Sequence, residues 1–464
     1  MKDVQVQSGM QVVVIGLGAA GLSTVRYLLT RGAVVKVSDR RSVDQIEPAT
    51  LDFLQQAGVA METGGHTAAF LTGADLVIPG PGVPLDLPAL QSARQQGIPV
   101  LGELALAAGQ YEVPVIAVTG SNGKTTVTSL IGHLLRAAGK KPFVGGNIGT
   151  PLLVYFANPG AYDAVVLELS SFQLDLAGTF RPDIGLLLNI SPDHLDRHGS
   201  LAAYTNAKMQ LFCSQVAGDV AILGADDPVA AATMLNPGIQ RCTFGHTAGC
   251  DARIANGHVI LNVERAGVLR QERYDLGSTT LHSSVNQLNA AAALLAAARH
   301  GCGYEALVQG LADFEPPPHR MAEVATIDGV RFINDSKATN IGALEAALGG
   351  CETPVVLIAG GRDKGSDYSL LREVVQRKVK HLVLVGEAAG LMRAALGPVV
   401  STEMAATMAD AVRKAMAAAA SGDLVLLAPG CASFDMFSGY EERGRVFAGQ
   451  VLQLRREREE GMRP

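Results

Sequence analysis

Apolar positions along the chain fall into two kinds of run. Short, nearly unbroken runs end in glycine or polar residues: "QVVVI", "AVVKVSD", "ADLVIPG", "PVIAV", "DAVVLELS", "DIGLLLNIS", "GVRFINDS", "PVVLIAGG", "HLVLVG" and "DLVLLAPG". Between them lie longer stretches of helical character, such as "VTSLIGHLLRAAG", "NQLNAAAALLAAARHG" and "AATMADAVRKAMAAAASG". A run that is apolar at successive positions suits a strand buried on both faces. Strands of that kind alternating with helices predict parallel sheets. The alanine-rich stretches are strong helix formers and not low-complexity sequence.

The pattern divides into three blocks. The first opens at "QVVVIGLGAAGLS", the second at "VPVIAVTGSNGKTT" after the helical "GELALAAGQ", and the third follows "FEPPPHR", a proline-stiffened joint. At 464 residues the chain is too long for one core, and length alone predicts about three domains. The expectation is an α/β protein with domains over residues 1–109, 110–315 and 316–464, built from α/β units throughout.

Composition and charge narrow the function. A net charge of −6 leaves no basic excess to neutralise a phosphate backbone, which argues against nucleic acid as partner. The alternating "RREREE" near the C-terminus reads as a solvated helix end. No run approaches the ~18 apolar residues of a membrane span. The N-terminal "MKDVQVQSGMQVVVIGLG" has only a short, glycine-broken apolar run and no cleavage site, so no signal peptide is expected. Cysteines 213, 242, 250, 302, 351 and 431 are scattered without C-x-x-C spacing, as reduced thiols in a cytoplasmic protein would be.

The candidate chemistry centres on "IAVTGSNGKTT", Ile116 to Thr126. A strand, a glycine turn, Lys124, two threonines and a helix are the context of a phosphate-binding loop. The usual G-x-x-x-x-G-K-[ST] pattern fails at Val118, so the loop is a shorter form starting at Gly120. Gly120 and Gly123 let backbone N–H groups curl around phosphates at a helix N-terminus. Lys124 would neutralise phosphate charge, and the Thr125 hydroxyl would ligate Mg²⁺. "VVLELSSFQLD" offers Glu168 at a neighbouring strand end to hold the metal, and "LLLNISPDHLDRHGS" offers His194 at the next. His194 and His198 have the i, i+4 spacing of a zinc pair, but no third ligand stands in register. In the first block, Gly16, Gly18 and Gly21 with Asp39 resemble a dinucleotide fingerprint. Such a turn can hold any pyrophosphate, a nicotinamide dinucleotide or a UDP-sugar alike.

Taken together, "GLGAAGLS", "TGSNGKTT", "GGNIG", "LELSSFQL", "SPDHLDRHGS", "PPPHR", "INDSKATN", "GGRDKGSD" and "APGCASFDMF…EERG" resemble the Mur ligase family, ATP-dependent enzymes that build the peptidoglycan stem peptide. The motifs run from residue 16 to 444 in family order. The resemblance implies an N-terminal Rossmann-like UDP-binding domain, a central P-loop ATPase-type domain and a C-terminal Rossmann-like domain. It implies formation of an amide between UDP-N-acetylmuramoyl-L-alanine and D-glutamate, with ATP and two Mg²⁺ ions, by a cytoplasmic monomer. A family member adding another amino acid, a nicotinamide-dependent dehydrogenase and a P-loop switch are the alternatives. The second leaves the P-loop idle, and the third needs an N-K-x-D that is absent.

The resemblance also implies residue roles. Gly120, Ser121, Asn122, Gly123, Lys124, Thr125, Thr126, Asn286, Asn289, Arg320, Asp335 and Lys337 would bind ATP. Lys124, His194, Lys208 and Arg320 would be catalytic. Thr125 and Glu168 would hold one metal ion; His194 and Lys208, the lysine as a carbamate, would hold the other. Thr339, Lys364, Ser433 and Tyr440 would surround D-glutamate. Gly18, Asp39, Arg40, Gly82 and Asn147 would contact UDP, and Ser170 and Gln173 the muramoyl-alanine end. Ser433 could also be a helix N-cap in "CASFD". Val285 stands where the family usually has histidine, Gly80 where serine is common, and Tyr440 where phenylalanine is commoner.

Overall fold

A computed structural model describes residues 5–265 and 267–461; Met1–Val4, the start of the stretch read as lacking a signal peptide, lie outside the described residues. Three sheets follow one another along the chain. The first contains β1 (Gln11–Ile15), β2 (Val34–Asp39), β3 (Ala60–Thr63) and β4 (Leu76–Pro79), all parallel in the order β3-β2-β1-β4. The strand order reverses at β1, so the loops after β1 and β4 diverge and leave a crevice at their carboxyl ends.

The central sheet has nine strands: β5 (Val115–Thr119), β6 (Pro142–Gly146), β7 (Ala164–Glu168), β8 (Ile184–Leu187), β9 (Val220–Gly224), β10 (Gln240–Gly245), β11 (Ala252–Ala255), β12 (His258–Arg265) and β13 (Val268–Asp275). Their order is β13-β12-β11-β10-β9-β8-β5-β7-β6. Pairing is parallel from β6 to β11 and antiparallel among β11, β12 and β13. The expectation of α/β units throughout fails here, because β11 to β13 form a meander with no crossover helix. The buried, alanine-rich helix Ser284–Arg299 packs against β9 to β12. Its small side chains let the backbone come close to the sheet.

The third sheet contains β14 (Ala322–Ile327), β15 (Val330–Asn334), β16 (Val355–Gly360), β17 (Val379–Val385), β18 (Thr402–Met404) and β19 (Leu424–Leu427), ordered β14-β15-β19-β16-β17-β18. Only the β14–β15 pair is antiparallel. The helix Tyr440–Gly461 closes the described chain, and "RREREE" lies exposed on its end as expected.

The first and second sheets share one continuous apolar core. Tyr27 and Tyr111 pack on Phe156 with ring centroids 5.3 and 5.2 Å apart, and Tyr155 lies 5.1 Å from both Tyr111 and Phe156. The third sheet keeps its own cores and meets the second through polar side chains.

Candidate active site

The glycine turn after β5 leads directly into the helix Lys124–Ala137, with Gly123 as its N-cap at φ 85°. That left-handed conformation favours glycine, and a Cβ there would collide with Asn289 Oδ1. Lys124 Nζ folds back to donate to the carbonyls of Gly120 (2.8 Å) and Ser121 (3.0 Å). Burial lowers its pKa, and the carboxylate of Glu168 acts against that shift. The loop is braced from β8: Asn122 N donates to Asn189 Oδ1, and Ser121 N to the Asn189 carbonyl, each at 2.9 Å.

Glu168 ends β7, buried beside the loop. Asn147 Nδ2 donates to its Oε1 at 2.8 Å, while Oε2 is buried with no hydrogen-bond partner among the described residues. A buried carboxylate oxygen left unpaired is costly, and a cation would satisfy it. His194 follows β8 in a left-handed turn at φ 53°. Burial pushes its pKa down to about 4, with Asp193 acting against this and Lys364 and Lys124 reinforcing it. His198 is not a zinc partner for it: Nε2 of His198 lies 3.0 Å from Ser171 Oγ, and its Nδ1 faces Asp175. Among the described residues, no group of three or more His, Cys, Asp or Glu side chains could hold a metal on its own.

Lys208 is carried on the helix Leu201–Cys213, which Ser200 caps through Ala203 N. Its ammonium is fully enclosed, donating to the Gly120 carbonyl at 2.8 Å and lying 4.7 Å from the Tyr204 ring centre. No described carboxylate pairs with it, and burial drives its pKa well below the ordinary lysine range.

The third domain supplies the facing wall. Arg320, Asp335 and Lys337 line the phosphate-loop cavity with Asn286, Asn289 and Val285. Burial raises the Asp335 pKa to about 6 and lowers that of Lys337 to about 8. Lys337 Nζ lies 3.7 Å from the ring centre of Tyr440. An adjoining cavity gathers Thr339, Lys364, Ser433 and Tyr440 against Ser170, Phe172, His194 and Lys208. Ser433 opens a turn and not a helix, its carbonyl accepting from Met436 N and Phe437 N. In the adjoining cavity Lys124, Lys208, Lys337 and Lys364 outnumber the single carboxylate Glu441, as a site for an anionic reactant requires, while the phosphate-loop cavity carries Lys124, Arg320 and Lys337 against Glu168, Asp193 and Asp335.

Asp193 ties the two domains together. Its carboxylate accepts from Asn340 Nδ2 (2.9 Å) and Lys364 Nζ (3.2 Å), and from its neighbour's backbone, His194 N (2.9 Å). Asn340 also reaches Asn122 Oδ1 at 3.3 Å and caps the helix Ile341–Gly349. Burial alone would raise the Asp193 pKa, but Lys364 and His194 more than offset this and lower it.

A separate crevice in the first domain gathers Gly18, Asp39, Arg40 and Gly82 with Arg41, His66 and Gly80. Asp39 is largely committed to protein partners. It accepts from Leu17 N (2.6 Å) and Arg41 N (2.9 Å), and forms a two-pronged ion pair with the Arg41 guanidinium. Burial would raise its pKa, yet these bonds bring it down to about 2.

Gln173 departs from expectation. It does not line the reaction cavity; its Oε1 accepts from Ser170 N and Oγ, and its Nε2 donates to the buried Glu103. It completes a capping box with Ser170 and so holds that serine in the cavity wall. Asn340, Asn189 and Arg41 also belong to the site without a local sequence signal, and Asp193, adjacent to His194, joins the domains there. Another residue without such a signal is Arg443, buried behind the site and bonded to Ser336 and to the carbonyls of Cys431 and Ala432.

Comparison with known proteins matches three family models in chain order. They are "Mur ligase MurD-like, N-terminal domain" over residues 10–102, "Mur ligase middle domain" over 118–297 and "Mur ligase, glutamate ligase domain" over 319–431. A UDP-N-acetylmuramoylalanine–D-glutamate ligase of Desulfotalea psychrophila is 48% identical over 95% of each chain. Another, of Syntrophotalea carbinolica, is 41% identical over 96% of this chain and 98% of its own. Among solved structures, a pseudomurein peptide ligase type C from Methanothermus fervidus aligns at TM-score 0.60 and 17% identity, covering 96% of this chain and 100% of that one. A UDP-N-acetylmuramate-alanine ligase from Thermotoga maritima aligns at TM-score 0.58 and 19% identity over 96% and 99%, a likeness of fold. With all three models in order and relatives above 40% identity along nearly its whole length, the chain belongs to the Mur ligase family.

Proposed function

We propose that this chain is an ATP-dependent ligase joining UDP-N-acetylmuramoyl-L-alanine to D-glutamate in peptidoglycan precursor synthesis. The observation that carries this reading is a shared wall. Lys124, Asn147, His194, Lys337 and Thr339 line both the phosphate-loop cavity and the cavity beside Lys364 and Ser433. A γ-phosphate at the helix N-terminus and an amino acid held by Lys364 would meet there. The names of the relatives support the choice of UDP-linked substrate and acceptor.

The L-alanine carboxylate attacks the γ-phosphorus of ATP, giving an acyl phosphate and ADP. The D-glutamate amine then attacks the acyl carbon, and the tetrahedral intermediate expels phosphate. Lys124 exchanges its two carbonyl partners for phosphate oxygens, and Arg320 and Lys337 approach the transferring group from the third domain. Glu168, with its unpaired buried oxygen, and Thr125 suit one Mg²⁺, and His194 with Lys208 a second; ions bound there would offset the charge between two anionic reactants. Lys208 can ligate only as an anion. Burial favours its uncharged amine, which adds CO₂ and releases a proton to give a carbamate. Lys364 suits the side-chain carboxylate of D-glutamate, and Thr339 and Ser433 its α-carboxylate. Residues 1–109 bind the UDP substrate, 110–315 bind ATP, and 316–464 bind D-glutamate and close over ATP to exclude water. The enzyme works as a monomer in the cytoplasm.

The test is phosphate release from ATP with Mg²⁺ and UDP-N-acetylmuramoyl-L-alanine, varying D-glutamate, L-glutamate, L-alanine and meso-diaminopimelate. Release that depends on D-glutamate is expected. Turnover with a different amino acid would keep the family and overturn the acceptor.

A further inference from the structure

The UDP crevice and the reaction cavity are separate spaces, and on the function proposed above one substrate must reach into both. Uridine would sit by Gly18 and Arg40, while the alanine carboxylate would lie by Ser170 and Lys124. The diphosphate and sugar must cross between. Arg197 sits at that crossing, carried on the one-turn helix Leu195–His198 that begins at His194. Its Nη1 donates to the Val83 carbonyl at 2.7 Å, and Val83 lines the UDP crevice. The same guanidinium lies 4.8 Å from the ring centre of Phe172, which lines the reaction cavity.

Both contacts are built and not incidental. Val83 is held in a turn by its N–H to the Gly80 carbonyl (2.9 Å), and Gly80 N donates to the Ile15 carbonyl at the end of β1 (2.8 Å). Phe172 in turn packs edge-on to His194, with ring centroids 4.8 Å apart. One cation therefore links the loop over the nucleotide crevice to the ring beside the reacting end. The two anchors come from different domains, 89 residues apart in sequence (Val83 and Phe172). Among the described residues no carboxylate lies within ion-pair distance of Arg197; Asp175, Asp86 and Asp196 act on its charge only at longer range. A planar fork tethered at one N–H and lying over one aromatic ring keeps further N–H groups for an anion, a geometry lysine cannot copy.

We propose that Arg197 is a positioning residue for the UDP-linked substrate, setting the path of the diphosphate-sugar segment between the nucleotide crevice and the reaction cavity. Removing it leaves both ends of the substrate their own contacts but loosens the register between them.

The experiment measures steady-state phosphate release for wild type, Arg197→Ala, Arg197→Lys and Phe172→Leu, and separately titrates UDP alone by calorimetry. Arg197→Ala is expected to raise KM for the UDP-linked substrate at least tenfold. KM for ATP and D-glutamate, and Kd for UDP, should stay within about twofold. Arg197→Lys should recover little of the loss, and Phe172→Leu should show a smaller shift in the same direction. An unchanged KM for the UDP-linked substrate in Arg197→Ala overturns the proposal. An equal loss of UDP affinity also overturns it, because the guanidinium would then act inside the nucleotide crevice. If Arg197→Ala fails to fold, the lysine variant and Phe172→Leu carry the same two readouts. An inactive wild type would refute the ligase reading itself, a result separate from either of these.

Discussion

Replacing Arg443 with methionine should weaken the third domain from behind the site. Arg443 is 1% exposed, and its guanidinium donates to Ser336 Oγ (3.0 Å), the Ser336 carbonyl (2.8 Å), and the carbonyls of Cys431 (3.1 Å) and Ala432 (3.2 Å). Ser336 stands between Asp335 and Lys337, and Cys431–Ala432 precedes Ser433. The one side chain therefore braces both a segment lining the phosphate-loop cavity and a segment lining the adjoining cavity. In Arg443→Met the Ala432 carbonyl keeps a donor, Arg362 N at 2.9 Å, and Ser336 Oγ keeps its bond to the Tyr440 carbonyl. The carbonyls of Ser336 and Cys431 lose the donor that holds them. Each buried carbonyl left unpaired costs about 1–3 kcal/mol. Removing a buried cation returns part of that: burial already depresses the arginine's pKa to about 10. Methionine also keeps most of the stem's packing. The expected net loss is about 2–4 kcal/mol, confined to the third domain. A chain of several domains does not unfold in one step, so amide hydrogen exchange over residues 333–339 and 431–433 is the suitable assay. Protection there should fall by a factor of about 30 or more, while β5 and β7 stay unchanged. Equal protection in variant and wild type, with activity within twofold, would refute the bracing argument.

Lys208→Ala should abolish phosphate release, with partial recovery on adding short carboxylic acids; full activity of the plain variant would remove Lys208 from the site. Gly123→Ala, placing a Cβ against Asn289 at a left-handed position, should lose ATP binding measured by calorimetry while binding of UDP in the first-domain crevice is unchanged. Asp39 has a folded pKa of about 2, below its unfolded value, so its ion pair stabilises the first domain above about pH 4 and is lost as pH falls through 2. At about 1.4 kcal/mol per unit, reduced because Arg41 is partly exposed, this amounts to about 1–2 kcal/mol. Asp39→Asn should therefore be less stable than wild type at pH 7 and equal to it near pH 1.5; a constant difference across that range would mean the charge is irrelevant.

The phosphate loop was legible because its chemistry is local: Gly120, Gly123 and Lys124 lie within five residues, and strand and helix flank them. Glu168 and His194 were legible as polar residues ending apolar runs. The resemblance puts Gln173 in the cavity, but "SSFQ" also carries the S-x-x-Q spacing of a capping box, and the local bond is the one formed. The Asp193 contacts could not be read, since its partners Asn340 and Lys364 lie 147 and 171 residues away. Arg40 and Arg41 are adjacent, and only the fold decides which one turns back onto Asp39. The β11–β13 meander escaped notice because its half-buried strands alternate where the others run continuously apolar.

The two joints between domains are made of different materials, and that difference governs how each comes apart. Separating the first two domains would expose the rings of Tyr27, Tyr111, Tyr155 and Phe156 to water, so that joint should behave as part of the core. The contact through Asp193, Asn340 and Lys364 presents only groups that water solvates readily. Breaking it trades hydrogen bonds of one kind for another, at a small net cost that falls further as salt rises. On the function proposed above, this is the joint at which products would leave, and the clasp sets where the third domain comes to rest more than how long it stays.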